Sequence, residues 1–191
     1  MRTTLLALLC LGTALAAAQD VNLDRTGDTQ VEAKFQSARR ISMGLCPGGI
    51  ELVGIDEPVL RVSELSSEAR VRINVSGDRA DLRLSDCPHA SFRARVEVPK
   101  SAALYIRMLA GQLDVRDVTG DKNIELSFGQ LNIDAGHSED YASVNASVNS
   151  GAIDSSLFDV HKGGLFRSFD QTGRGKYRLH AHVGAGQIDL H

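Results

Sequence analysis

His180 and His182 stand two residues apart near the end of the chain, and His191 is the last residue. Imidazoles at that spacing leave one face of a strand together, where they could take a divalent metal or move protons near neutral pH. No further ligand spacing accompanies them, and an exposed polar strand face explains the same residues. A second constellation is four polar residues at one place of a recurring phrase: Asp114, Asn132, Asp154 and Asp189. Strands stacked about 4.8 Å apart would set them in a column, with oxygens suited to calcium or to acid-assisted cleavage of a polysaccharide. Calcium-binding repeats have a nine-residue period with paired glycines and aspartates that this chain lacks. Ser, His and Asp occur, but without a nucleophile elbow, a phosphate-cradling glycine loop opening a helix, or a His-Glu zinc helix. No catalytic residue, cofactor or metal site is expected, and the column reads as a solvated polar face.

Cys46 and Cys87 are each followed by proline. A pair of cysteines in an exported chain argues for a disulfide, which would close a loop of roughly 40 residues and contribute up to about 4 kcal/mol. Two free buried thiols, or a metal held with His89, are the other readings. The last falls short of the four ligands of a structural zinc site.

These residues must be positioned by strands. The phrase Gly111-Gln112-Leu113-Asp114-Val115 returns as Gly129-Gln130-Leu131-Asn132-Ile133, as Gly151-Ala152-Ile153-Asp154-Ser155 and as Gly186-Gln187-Ile188-Asp189-Leu190. A weaker copy stands at Gly48-Gly49-Ile50-Glu51-Leu52. Alternating apolar residues precede each strong copy, as Leu104, Ile106 and Met108 precede the first. Glycine tolerates the positive φ and close backbone approach of a sharp corner, so Gly111, Gly129, Gly151 and Gly186 are read as structural corners. The aliphatics after them then point inward.

Further strands are expected around Ile41–Leu45, Val59–Val62, Val71–Val75, Ala80–Leu84, Phe92–Val98, Val144–Val148 and Tyr177–Val183. The passage from Ser155 to Gly175 has no clean alternation and reads as a longer loop or irregular coil capped by Phe158, Phe166 and Phe169. The fold class is all-β: a single-domain β-solenoid or β-roll of short strands with glycine corners, almost without helix.

Met1-Arg2, the apolar run Leu5–Leu15 and Ala16-Ala17-Ala18 have the layout of a secretory signal peptide. The apolar run is shorter than a bilayer needs, and a lipid anchor on Cys10 lacks a small residue before it. The expected organisation is therefore a signal peptide at 1–18, a polar leader at 19–38 that either pairs at the edge of the body or stays mobile, and the β domain at 39–191. The mature chain is expected to have no membrane span. The formal charge is −3, with both signs interspersed, so no basic patch points to nucleic acid. Asn74 and Asn145 match the glycosylation pattern, which matters only in a eukaryotic host.

The succession from Val96-Glu97-Val98-Pro99 through the glycine phrases to Gly184-Ala185-Gly186-Gln187-Ile188-Asp189-Leu190 resembles the bacterial putative-adhesin family over roughly 39–191. That resemblance implies a β-solenoid in the cell envelope without known catalytic residues. The expected function is a non-enzymatic exported structural or adhesion module in the periplasm or at the cell surface, acting on an unspecified envelope or cell-surface component. Self-association through open ends is a further expectation. A binding module for an envelope polysaccharide or protein is the alternative, using outer residues such as Arg93, Arg95 and Glu97 or Arg178, His180 and His182. A polysaccharide-acting enzyme ranks third.

Overall fold

The computed structural model describes residues 20–34, 39–66, 68–88 and 92–191. The expected signal peptide lies outside the described residues, as do residues 35–38 of the leader and His89. Apolar residues at every second position dictate extended chain with one greasy face, and thirteen strands follow among the described residues. They are β1 (Val21–Thr26), β2 (Gln30–Lys34), β3 (Arg40–Leu45), β4 (Gly48–Ile55), β5 (Val59–Ser63), β6 (Arg70–Ser76) and β7 (Arg79–Ser85). After them come β8 (Arg93–Pro99), β9 (Ala103–Arg116), β10 (Lys122–Ile133), β11 (Tyr141–Ser155), β12 (Val160–Thr172) and β13 (Tyr177–Leu190). Helix among the described residues is a single 3₁₀ turn, Ser138–Asp140.

The strands form one sheet that forks. One branch runs β1-β6-β7-β3-β9 and the other β2-β5-β8-β4-β9, and both continue through β10, β13, β11 and β12. Strand β9 joins the branches because its first half pairs with β3 and its second half, beyond Gly111, with β4. Each layer thus crosses two faces around a common corner. Layers β9, β10, β13 and β11 cross it as continuous bent strands in parallel register. Inside the bend, Ile50, Leu113, Leu131, Ile188 and Ile153 form one buried row across five layers. Each such side chain contributes roughly 1.5–3 kcal/mol of burial, and the rows belong to one core running from Val31 to Leu190.

One feature departs from the sequence expectation. The passage from Ser155 to Gly175 is not irregular: it holds β12, which pairs antiparallel with β11 throughout Val160–Thr172. Nearly every residue of β12 is exposed, so no buried face existed to impress an alternating pattern on its sequence. Within the stretch read as a polar leader, β1 pairs with β6 and β2 with β5. The order of layers also differs from chain order, since β13 lies between β10 and β11.

Candidate functional site

The corner comes first, because it fixes every outer side chain. Gly48, Gly111, Gly129, Gly186 and Gly151 are successive register partners with φ between +123° and +151°. A Cβ on Gly111, Gly129, Gly186 or Gly151 would overlap the backbone carbonyl of the glycine in the adjacent layer. Both the torsion and the space exclude other residues, and the repeated phrases are thereby one physical column. The early copy beginning at Gly48 is in register with the copy at Gly111.

Just beyond the corner, the four polar residues of the phrase do meet. Their row runs Glu51, Asp114, Asn132, Asp189, Asp154, His161. The glutamines beside them take up the carboxylates. Gln112 Nε2 donates to Asp114 at 3.0 Å, and Asn132 Nδ2 donates to the same side chain at 2.5 Å. Gln130 and Gln187 donate to Asp189 at 3.0 and 2.8 Å, and Gln187 also reaches Asp154 at 3.2 Å. His161 Nδ1 contacts Asp154. This is an amide-laced ladder that ties layers together. Among the described residues no three His, Cys, Asp or Glu side chains are arranged to hold a metal. His180 lies in register with Asn123 and Asn145, and the His182 ring sits 2.9 Å from Ser147 Oγ.

Cys46 and Cys87 are joined in a disulfide, so the sulfurs are not available as thiolate ligands. Cys46 lies between β3 and β4, and Cys87 lies on the way from β7 to β8. The bond therefore pins the corner crossing of the layer next to Gly48, where β7 and β8 are separate strands. Outside that layer runs an ion-pair chain. Arg61 binds Glu32 at 2.8 Å and also Glu97, while Arg95 joins Glu97 at 3.2 Å to Glu51 at 2.6 Å. Arg95 and Glu97, two candidates for an outer binding face, are consequently engaged within the chain.

Lys122 is a residue that sequence reasoning missed. It occupies the inward row between Leu104 and Leu179 and is only 2% exposed. Its Nζ donates to Tyr141 Oη at 3.0 Å and to the Gly120 carbonyl at 3.2 Å. Burial without a carboxylate in contact pushes the ammonium pKa down to about 8 and the Tyr141 phenol up to about 12. The signal was present in its phase, since Lys122 falls on the same face as Ile124 and Leu126.

On the outer face of the first half of the stack, a row runs Asp24, Arg72, Arg83, Gly44, Arg107, Glu125 across six layers. A second row beside it runs Asn22, Asn74, Asp81, Ser42, Tyr105, Asn123. Small residues at Ser42 and Gly44 leave an open groove of about 590 Å3 between the β6–β7 and β9–β10 side chains. Arg72 reaches Asp24 at 3.3 Å and Arg107 reaches Glu125 at 3.0 Å. Arg83 has no ion pair or side-chain hydrogen bond among the described residues.

No protein-family model matches the chain, and no curated protein matches it. Among solved structures, it is similar to a putative cell adhesion protein from Clostridium sporogenes, with a TM-score of 0.54 and 11% identity, covering 90% of this chain and 99% of that one. At that identity the likeness is one of fold.

Proposed function

We propose that the chain is a non-enzymatic adhesion module of the cell envelope, built as a β-solenoid of the putative-adhesin type and exported to the periplasm or cell surface. The observation that carries this reading is the fold likeness over most of both chains to a protein described as a putative cell adhesion protein. The Cys46–Cys87 bond supports an oxidising location outside the cytoplasm. The layered stack also favours recognition over catalysis. It spreads polar side chains in long rows on outer faces, and the phrase acids are held by glutamine and asparagine amides. Strand β12 has one edge without a partner among the described residues, which supports pairing between copies as a route to multivalent attachment.

The test is protease treatment of intact host cells beside lysed cells, paired with attachment of host cells to protein-coated beads. Digestion in intact cells and retention on beads are expected. Protection until lysis places the chain in the periplasm and, like absence of retention, overturns adhesion in favour of a structural role in the envelope. A second reading, a binding module for an envelope polysaccharide, is favoured by the open groove over Ser42 and Gly44.

A further inference from the structure

Gly44 is a glycine that the fold does not require. It lies within β3, its φ is not positive, and a Cβ built on it meets nothing within 4 Å. Glycine inside an element costs roughly 0.5–1 kcal/mol relative to alanine. The corner glycines repay that cost through torsion and close approach, whereas Gly44 secures only empty space above the strand.

That space sits between two arginines. Arg83 and Arg107 are the register partners of Gly44 on either side, so their backbones lie two strand spacings apart, roughly 10 Å. Arg72 is directly opposite Arg83 on the next strand, and like charges in that arrangement are unfavourable without an anion between or beside them. Asp24 draws Arg72 outward at 3.3 Å, and Glu125 holds Arg107 at 3.0 Å in a pair that is 80% and 47% exposed. So exposed a pair is weak and readily exchanged for another carboxylate. Planar guanidinium groups on both sides of the gap suit bidentate recognition of a carboxylate.

The neighbouring row decides between acids. Asp81, Ser42, Asn74 and Asn123 present acceptors and donors along the groove, and Tyr105, 47% exposed, adds a ring surface. Asp81 and Glu125 oppose a densely charged polyanion, and the chain's formal charge of −3 does the same. A ligand with spaced carboxylates and many hydroxyls satisfies both rows, its hydroxyls donating to Asp81 and its acid meeting Arg83 and Arg107.

We infer that the groove over Gly44 binds an acidic polysaccharide of the uronate class, with one carboxylate held between Arg83 and Arg107. This rests on the binding reading above and names its ligand.

The experiment is titration of the protein with polygalacturonate at low salt, beside neutral dextran and polyglutamate. Binding to polygalacturonate alone is expected. Arg83→Gln and Gly44→Val should weaken it about tenfold or more, while Gly44→Val leaves the melting temperature unchanged or higher, because the strand gains a β-former in open space. Lys34→Gln, an exposed cation outside the groove, should retain full affinity. Equal binding by Gly44→Val and the parent, equal binding of polyglutamate, or no binding of polygalacturonate by the parent each overturns the inference. Bead attachment separates it from the adhesion reading. Cells retained equally by Gly44→Val and parent remove the groove from attachment, whereas failure of the parent to retain cells removes adhesion itself.

Discussion

Layers β9, β10, β13 and β11 each cross the corner as one continuous strand, whereas β7 and β8, β6 and β5, and β1 and β2 cross it as two strands joined by a loop. The first group is held at the corner by a column of glycines in mutual backbone contact. The second has no such column. Its crossing nearest the column is pinned by Cys46–Cys87, and its outer faces carry the chains of Arg61, Glu97, Arg95 and Glu51 and of Asp24 with Arg70 and Arg72. A fold can thus obtain the same layered shape from backbone geometry repeated in register, or from side-chain ties that each serve one place. The first route depends on a torsion and a space that only glycine fits; the second tolerates varied sequence but rests on individually replaceable links.

The sharpest way to break the comparison is Gly129→Ala. The new methyl would overlap the Gly111 carbonyl at a φ of +127°, so a loss of about 4 kcal/mol or outright misfolding is expected in chemical denaturation. Gly44→Ala in the same experiment should be neutral or stabilising, which isolates corner geometry from glycine content. Next in size is the disulfide, which spans 41 positions. Its removal in a Cys46→Ser, Cys87→Ser double variant should cost up to about 4 kcal/mol in the chain-entropy account. Hydrogen exchange should localise the weakening to β3, β7 and β8 and spare β13. Protection lost equally in β13 would show that the two regions unfold as one.

Lys122 tests the continuous region by pH. Its folded pKa of about 8 lies below the ordinary 10.5, so between those values the unfolded chain binds more protons and stability rises with pH, by about 3 kcal/mol at most. Tyr141 acts in the opposite sense: its pKa is raised from 10 to about 12, so its contribution is present below pH 10 and is lost as pH climbs to 12. Lys122→Met should abolish the rise above pH 8 while keeping the fall above pH 10. A rise of unchanged size in that variant would disprove the assignment. The smallest effect belongs to the split region. The Arg70 guanidinium, with Arg72 behind it, holds the Asp24 carboxyl at about 2. Its stabilisation is present above pH 3.8 and is lost as pH falls toward 2, and exchange protection in β1 should decline over that window. Asp24→Asn should remove the decline.

Much of the corner was legible because it repeats. Five copies of one phrase carry the same glycine, and their inward aliphatics and outward polar residues, Glu51 in the early copy and Asx in the other four, sit where period-two reasoning places them. Four other features lay beyond that reasoning. β12 is exposed on both faces, so its place depends on backbone pairing with β11 rather than on any side-chain pattern. The glutamine amides that occupy Asp114 and Asp189 come partly from neighbouring layers, a relation that needs the register. Arg83 and Arg107 are 24 residues apart in sequence and face each other only because β3 separates β7 from β9. Lys122 was visible in phase but hidden by the habit of reading lysine as exposed.

The place of β13 between β10 and β11 has a consequence for how the molecule is made. When β11 has left the ribosome, the slot it must flank is still vacant, because β13, which fills it, is made after both β11 and β12. The hairpin of β11 and β12 can form locally, but it can reach the growing stack only after residues 177–190 have threaded between. The final contacts therefore close late and at long sequence separation, a slow topology. A chain stopped before Tyr177 would therefore hold a β11–β12 hairpin with no strand to join it to β10, so the stack is all or nothing across that joint.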